Sequence, residues 1–356
     1  MRIAQVSPLF ESVPPKYYGG TERVVSYLTE ELVRQGHDVT LYASGDSVTR
    51  ARLVAACRRS LRLDKSCVDQ LAHHVLMLEL LGKEAATYDV IHYHIDYLHF
   101  PFSRRIRVPH VTTLHGRLDL PDLIPLYREF NDMPVVSISN AQREPLPRAH
   151  WVRTVYHGLP EDLYRFRPRP GTYLAFLGRI SPEKRVDRAI AIASRIGIPL
   201  KIAAKVDAVD LEYFTTTIEP LLRGPQIEYV GEIGEGEKDE LLGNAYALLF
   251  PIDWPEPFGL VMIESLACGT PVIAYRRGSV PEVLDDGATG FVVEGLDDAV
   301  RAAERVATLD RARCRRVFEE RFTASRMAQD YVAVYERQRA LPGALAGERA
   351  ATMSRV

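Results

Sequence analysis

Residues 247–275 read ALLFPIDWPEPFGLVMIESLACGTPVIAY. The apolar run Ala247–Pro251 predicts a buried strand, Gly259–Ala267 predicts a helix, and Val272–Tyr275 predicts a second strand. Two apolar strands joined by a crossover helix are the repeating unit of a parallel sheet that helices cover on its faces. This stretch therefore predicts an α/β fold.

The same alternation extends in both directions along the chain. Further strands are predicted at Arg2–Val6, Asp38–Tyr42, Val90–Tyr93, Val111–Leu114, Val135–Ile138, Thr154–Tyr156, Tyr173–Leu177, Leu200–Ala204, Ile227–Val230 and Phe291–Val293. Further helices are predicted at Thr21–Arg34 with Thr21 as N-cap, Val186–Ile196, Leu211–Leu222, Lys238–Ala245, Asp297–Leu309 and 326–337. The stretch 49–86 has helical character but a poor period.

The length of 356 residues favours two domains. Arg165–Gly171 reads RFRPRPG, and its two prolines and one glycine without any period are typical of a linker. We therefore expect one α/β domain at 1–165 and another at 166–325, with a cleft between them. The residues after 340 are expected to form a flexible tail.

Charge and cysteine content exclude several classes of protein. Lys and Arg number 45 against 47 Asp and Glu, so no broad basic field indicates nucleic-acid binding. The four cysteines form no Cys-x-x-Cys pair, and no secretory or membrane-spanning apolar run is present, so we expect a cytoplasmic protein. The basic stretch 50–65 predicts either a weak contact with an anionic membrane or a solvated helix face.

The loop after the predicted strand Tyr173–Leu177 carries two cations. It reads GRISPEK at 178–184, and ligands of parallel sheets bind beyond the carboxyl ends of strands. The guanidinium of Arg179 and the ammonium of Lys184 together match a phosphate or diphosphate. The alternative is a solvated loop with ordinary surface cations.

Two glutamates flank the start of the predicted helix at Gly259. The unpaired N–H groups of Phe258, Gly259 and Leu260 favour an anion there. The carboxylates of Glu256 and Glu264 can accept sugar hydroxyls, so the site suits a phosphorylated, polyhydroxylated ligand. Alternatively, Glu256 only complements the helix dipole and Glu264 is an exposed helix residue. However, the apolar neighbours of Glu264 predict that it is partly buried and paired.

The first half of the chain offers weaker signals. Gly19 and Gly20 precede a predicted helix, where they suit either close approach of an anion or a tight turn. His115 follows a predicted strand, a position at which a hydrogen-bonding structural role is more common than catalysis. Neither half opens with Gly-x-Gly-x-x-Gly, which argues against an NAD-dependent dehydrogenase.

The segment 92–99 reads HYHIDYLH. His92 and His94 alternate along a strand and share a face, as a two-histidine metal site requires. Lining of an acceptor site and structural packing are the alternatives for this cluster. The acceptor-side candidates are His94, Asp96, Asp119 and, with less support, Asp122.

These motifs resemble retaining glycosyltransferase family 4, whose GT-B architecture has two Rossmann-like domains facing a cleft. The resemblance spans nearly the whole chain. It rests on EPFGLVMIE at 256–264, CGTPVIA at 268–274, GRISPEK at 178–184, the Gly19–Gly20 pair, LHG at 114–116 and the SVPEV and DGATGF segments within 279–291.

The resemblance implies roles for these positions. Arg179 and Lys184 would bind the diphosphate, and these two residues together with His115 and Glu256 would act in catalysis. Glu264 would accept the ribose hydroxyls. Glu256 would hold sugar hydroxyls, and His115 would orient the sugar near its anomeric centre. The remaining donor contacts would come from the backbone at Gly19, Gly20, Val230, Ile233, Phe258, Gly259 and Leu260.

The implied reaction is retaining transfer of a hexosyl-type unit from a nucleotide diphosphate sugar, with UDP favoured, to an acceptor hydroxyl. No metal or other cofactor is expected. The alternatives are a GDP-sugar (mannosyl) transferase, a GT-B sugar phosphorylase or epimerase, and a non-catalytic nucleotide-sugar-binding protein. The resemblance also implies that a helix at 326–340 crosses back to the first domain.

Overall fold

The computed structural model describes residues 1–16 and 19–341, which form two compact units. The first unit contains Met1–Ile138, Arg143–Tyr156 and the described residues from Ala324 onward, and the second contains Ser139–Gln142 and His157–Thr323. Each unit has one parallel sheet with helices, which confirms the predicted α/β fold. Tyr17, Tyr18 and most of the predicted tail, 342–356, lie outside the described residues.

The sheet of the first unit has seven strands. They are β1 (Arg2–Val6), β2 (Asp38–Ser44), β3 (Arg52–Cys57), β4 (Val90–Tyr93), β5 (His110–Thr113), β6 (Val135–Ser137) and β7 (Trp151–Thr154). Their order is β3-β2-β1-β4-β5-β6-β7, and every pair is parallel. The order reverses between β1 and β4, so the loops that follow these strands diverge and leave room for a ligand.

Helices connect the strands of the first unit. They are α1 (Gly20–Arg34), α2 (Gln70–Glu84), α3 (Phe100–Ser103) and α4 (Leu123–Glu129). Buried apolar residues of α1 and α2 pack against the sheet, among them Leu28 and Met77, which are both inaccessible to solvent.

The second unit repeats this plan with six strands. They are β8 (Tyr173–Arg179), β9 (Leu200–Lys205), β10 (Ile227–Gly231), β11 (Ala245–Phe250), β12 (Val272–Tyr275) and β13 (Gly290–Val293). Their order is β10-β9-β8-β11-β12-β13, all parallel, with the reversal between β8 and β11. The helices are α5 (Val186–Ile196), α6 (Leu211–Tyr213), α7 (Glu235–Gly243), α8 (Leu260–Ala267), α9 (Val280–Val283), α10 (Leu296–Arg305) and α11 (Arg311–Arg321).

The last helix, α12 (Ala324–Ala340), belongs to the first unit although it follows the second in sequence. It packs against α1, β4 and β5. Tyr331 and Tyr335 lie on its buried face, with 1% and 0% of their surface exposed. None of the described helices combines the length and the apolar character needed to cross a lipid bilayer.

The stretch 49–86 is only partly helical. Residues Arg52–Cys57 form the edge strand β3, because pairing with β2 outweighs a weak helical pattern. The expectation of a solvated helix face at 50–65 is therefore wrong, whereas the weak membrane contact of this stretch stays a prediction. Three of its arginines instead pair with carboxylates of the same unit: Arg50 with Glu30, Arg52 with Glu84 and Arg62 with Glu11.

Several other boundaries differ from the prediction, and three of the differences are informative. Thr21 lies inside α1, whose N-cap is Gly19 without a side-chain cap. The seventh strand covers Trp151–Thr154 instead of Thr154–Tyr156. The predicted helix Leu211–Leu222 changes from α-helical to π-helical geometry and then to a 3₁₀ segment, Glu219–Arg223. This segment contains Pro220, whose ring cannot continue an α-helix.

The predicted linker Arg165–Gly171 has no regular secondary structure, but it is packed into the second unit. The Arg167 guanidinium donates to the Asp239 carbonyl at 2.7 Å and to its carboxylate at 2.9 Å. A Cβ at Gly171 would lie 1.5 Å from the Asn244 carbonyl oxygen. The proline and glycine content therefore reflects a close-packed irregular segment.

We expect Gly290→Ala to destabilise the second unit by about 2 kcal/mol or more, as overpacking does. A Cβ at Gly290 would lie 2.1 Å from the Val272 carbonyl oxygen, which the neighbouring strand holds in place. Urea unfolding followed by Trp254 fluorescence in a Trp151→Phe background measures the change. Gly236→Ala is the control: no atom lies within 4 Å of its added Cβ, so it should be neutral or stabilising by about 0.5–1 kcal/mol.

Candidate functional site

Several donor-side candidates of the second unit lie on loops at one edge of its sheet. The loop after β8 carries Lys184, the loop after β10 carries Ile233, and the loop after β11 carries Glu256. Because all six strands are parallel, these loops share the carboxyl edge, and the first and third of them flank the β8/β11 reversal. This edge is where an open α/β sheet binds ligands.

Lys184 and Glu256 form the central ion pair of this edge. The Lys184 ammonium bonds Glu256 Oε2, and Trp254 Nε1 donates to the same oxygen at 3.1 Å. The ammonium also lies 4.9 Å from the centre of the Trp254 ring. Only 16% and 12% of the two charged side chains are exposed. The pair therefore presents a fixed cation and a fixed carboxylate side by side.

The backbone after β12 holds the loop that carries Glu256. Ser279 N–H donates to the Glu256 carbonyl at 3.0 Å, and Ser279 Oγ donates to the Phe258 carbonyl at 2.8 Å. Gly278 has φ +51°, and a Cβ there would lie 2.3 Å from the Glu256 carbonyl oxygen. The close approach of these two loops therefore requires glycine, a constraint that the sequence alone did not reveal.

Arg179 ends β8 and is held among acidic groups. Its guanidinium donates to Glu183 at 2.7 Å and forms longer ion pairs, both 3.5 Å, with Asp207 and Asp210. These contacts differ from those of Lys184, so the structure gives the two cations separate carboxylate partners. Arg179 keeps 29% of its side chain exposed.

Glu264 on α8 is 3% exposed and paired, as its apolar neighbours predicted. Its partner is Lys238 on α7, with Lys238 Nζ 3.2 Å from Glu264 Oε1 and 3.5 Å from Glu235 Oε2. No sequence motif identifies Lys238. The signal that the sequence offers for it is that a partly buried Glu264 needs a partner. Val230 is 38% exposed and Ile233 is half-buried, and both residues precede α7.

The helix α8 begins with Gly259 as its N-cap at φ +79°. The Phe258 side chain is 2% exposed and packs against His157 and Phe322, so the main chain is the part of Phe258 available to a ligand. The side chains around this N-terminus thus stabilise the loop, whereas the amides remain the candidate anion contacts.

In the first unit the structure brings His94 and His115 together. His94 Nδ1 lies 2.9 Å from His115 Nε2, and His94 Nε2 lies 2.8 Å from Gln5 Oε1. The Asp96 carboxylate accepts the His115 backbone N–H, and Asp96 as a whole residue is exposed. Burial lowers the pKa of His115 to about 3, so the imidazole is neutral at pH 7.

The histidines of the 92–99 segment do not converge on one point. His92 bonds Thr113 at 2.7 Å, whereas His99 bonds Thr112 at 2.7 Å, and successive strand residues face opposite sides of a sheet. Among residues 1–16 and 19–341, no group of three or more His, Cys, Asp and Glu side chains is placed to hold a metal ion. His92 and His99 therefore pack on opposite sides of the sheet of the first unit.

The contacts that the structure gives for Asp119, Asp122 and Gly19 do not include His94 or His115. Asp119 is exposed and bonded twice by Arg117, at 2.7 and 2.8 Å. Asp122 is the residue before α4 and makes no side-chain cap. A Cβ at Gly19 would lie 2.8 Å from Pro15 Cβ, so the close approach to Pro15 by itself accounts for this glycine.

The chain matches two family models and several known proteins. Glycosyltransferase Family 4 matches residues 18–196, and Glycosyl transferases group 1 matches residues 166–319. Glycogen synthase of Mycobacterium tuberculosis is 28% identical over 95% of this chain and 96% of its own length. Alpha-maltose-1-phosphate synthase of Mycolicibacterium smegmatis is 28% identical, with 88% and 92% covered. The crystal structure of AviGT4, a glycosyltransferase involved in avilamycin A biosynthesis, superposes with a TM-score of 0.75 at 25% identity, covering 96% of this chain and 98% of that one.

We expect the first unit to lose stability as the pH falls below about 6.5. His92 and His99 are fully buried, and burial holds both pKa values well below the ordinary one. The unfolded chain therefore takes up protons below pH 6.5 that the folded chain does not, whereas above that pH neither state does. Each histidine should cost about 1.4 kcal/mol at pH 5.5.

Urea unfolding followed by Trp151 fluorescence in a Trp254→Phe background measures this loss. His99→Gln should reduce the slope of stability against pH, since it removes one of the titrating groups. A free energy of unfolding that does not change between pH 7.5 and 5.5 would contradict the assignment of these histidines as buried and neutral.

Proposed function

Because the chain belongs to glycosyltransferase family 4 and is therefore a glycosyltransferase, we propose that it moves a hexosyl-type unit from a nucleotide diphosphate sugar to an acceptor hydroxyl with retention of configuration. The observation that carries the proposal is the Lys184–Glu256 pair at the β8/β11 reversal. The pair supports the proposal because a cation that can bind a phosphate lies beside a carboxylate that can accept a sugar hydroxyl.

Lys184 and Arg179 stabilise the departing diphosphate in this proposal. Charge develops on the leaving phosphate in the transition state, and fixed cations at a partly buried edge favour that charge more than solvated cations would. The Glu256 carboxylate and the Trp254 ring restrict the Lys184 ammonium, so little reorganisation is needed when the donor reacts. The two side chains supply the positive charge, and the proposed reaction is metal-independent.

The nucleoside part of the donor is assigned to the α7–α8 side of the edge. The Glu264 carboxylate, oriented by Lys238, accepts the ribose hydroxyls, and the backbone at Val230 and Ile233 contacts the base. The amides of Gly259 and Leu260 at the start of α8 add contacts to sugar and phosphate. We propose uracil as the base, so that the donor is a UDP-sugar, with a GDP-sugar as the alternative.

The first unit supplies groups for sugar hydroxyls and the acceptor. The pKa of His115, about 3, makes it a poor general base at neutral pH, so we assign it the orientation of a sugar hydroxyl. The leaving phosphate then accepts the proton of the acceptor hydroxyl. His94, Asp96 and Asp119 are the acceptor-side candidates, and the Gly19–Gly20 backbone is a further anion contact. Two relatives are named for carbohydrate products, which favours a carbohydrate acceptor.

We expect Arg179→Ala and Lys184→Ala each to lower kcat by on the order of 10²-fold, as loss of one transition-state contact does. Lys201→Ala is the matched control. Lys201 pairs with Glu228 and lies near the amino end of β9, away from the carboxyl edge that carries the candidate site. Release of nucleoside diphosphate from a UDP-sugar, with and without acceptor and with EDTA present, measures turnover. Near wild-type turnover in either variant would refute the leaving-group role.

We expect Glu264→Gln to weaken binding of UDP alone by about tenfold or more, because a charged acceptor for the ribose hydroxyls is lost. Glu256→Gln should leave UDP affinity nearly unchanged and remove the additional affinity that the sugar provides. Calorimetric titration of both variants with UDP and a UDP-sugar tests the division. An equal loss of affinity for UDP alone in both variants would contradict the division. If the wild type binds GDP more tightly than UDP, the proposed base is guanine instead of uracil.

A further inference from the structure

A buried chain of hydrogen bonds leads away from His115 into the core of the first unit. His115 Nε2 lies 2.9 Å from His94 Nδ1, and His94 Nε2 lies 2.8 Å from Gln5 Oε1. Gln5 Nε2 then donates to the Tyr335 hydroxyl at 3.1 Å. Gln5 and Tyr335 have no exposed surface, and 2% of His94 is exposed. The chain thus connects His115 with helix α12.

The chain continues beyond Tyr335 by three more bonds. The Tyr335 hydroxyl lies 2.8 Å from His92 Nδ1, His92 Nε2 lies 2.7 Å from Thr113 Oγ1, and Thr113 Oγ1 lies 2.8 Å from the Tyr331 hydroxyl. His92 and Thr113 are completely buried. Two tyrosines of α12 therefore complete a polar network on the β4 and β5 strands, where an unpaired polar group would be costly.

The Gln5 amide gives this chain a direction. Its oxygen faces His94 Nε2 and its nitrogen faces Tyr335, so Nε2 of His94 must carry the hydrogen. Nδ1 of neutral His94 is then an acceptor, and the hydrogen between the two imidazoles belongs to His115 Nε2. The Tyr335 oxygen accepts the amide N–H of Gln5, which leaves its own hydrogen available for His92 Nδ1 at 2.8 Å. This orientation of the Gln5 amide favours the Nε2–H tautomer of neutral His115.

We propose that Tyr335 is a positioning residue that, through Gln5 and His94, holds His115 in the Nε2–H tautomer and in one ring orientation. The proposal deepens the sugar-orienting role assigned to His115 and rests on it for its effect on the reaction. Without the Tyr335 hydroxyl, the Gln5 amide N–H loses its buried acceptor, so the present amide orientation loses one of the bonds that stabilise it. Both His115 tautomers then become accessible, and the ring no longer offers the sugar one defined pattern of donor and acceptor.

The first test reads the tautomer directly and needs no substrate. Long-range ¹H–¹⁵N correlation of ¹⁵N-histidine-labelled protein distinguishes Nε2–H from Nδ1–H imidazoles, and the His115→Gln spectrum assigns the signal. We expect the Nε2–H form in the wild type and a mixture in Tyr335→Phe. Gln5→Met, which breaks the same path while keeping Tyr335, should give the same mixture and serves if Tyr335→Phe does not fold.

Tyr331→Phe is the matched control. Tyr331 is an equally buried tyrosine of the same helix, but its hydroxyl contacts the far end of the chain at Thr113. We expect the wild-type tautomer of His115 in this variant. The Nδ1–H form in the wild type, or an unchanged tautomer in both Tyr335→Phe and Gln5→Met, would overturn the proposal.

The second test measures turnover. Tyr335→Phe should lower kcat by about tenfold, the effect of losing one ordered hydrogen bond, while the Kd for UDP remains that of the wild type. Tyr331→Phe should keep wild-type kcat. Wild-type kcat in a Tyr335→Phe protein that has lost its tautomer preference would overturn the positioning role. Absence of transfer by the wild type would instead refute the proposed function, since the tautomer measurement does not depend on it.

Discussion

The parallel arrangement of both sheets is the constraint on which the rest of this structure depends. Parallel strands place all their carboxyl ends at one edge, so loops distant in sequence become neighbours there. Lys184 and Glu256 are 72 residues apart and form an ion pair because β8 and β11 are adjacent at the reversal. In the first unit, the adjacency of β4 and β5 places His94 against His115 in the same way.

Charge is balanced locally within this frame. The net charge of −2 excludes a global attraction for anions, and the candidate cations of the second unit each face a carboxylate. Lys184 pairs with Glu256, Arg179 pairs with Glu183, and Lys238 pairs with Glu264. A partly buried cation paired in this way keeps its position without a ligand, which is consistent with the proposed role of this edge in binding a diphosphate.

Much of the fold was predictable because apolar runs and helix periods are local properties. β1, β4, α5 and β12 were predicted to the residue. β3 was missed because an edge strand with four partly buried positions carries little alternation, and its pairing with β2 decides its conformation. The helix predicted at Leu211–Leu222 failed for the opposite reason, since a local feature, Pro220, outweighs the period.

The sequence by itself determined the α/β class, the family resemblance and the residue types that face the carboxyl edges, because these follow from patterns and spacings along the chain. Only the tertiary structure decided the partners. It paired Glu264 with Lys238, placed Gly278 against the Glu256 backbone, and connected His115 to Tyr335 across 220 residues of chain. Such contacts join segments that no local pattern relates, and they exist only after the strands have assembled into sheets.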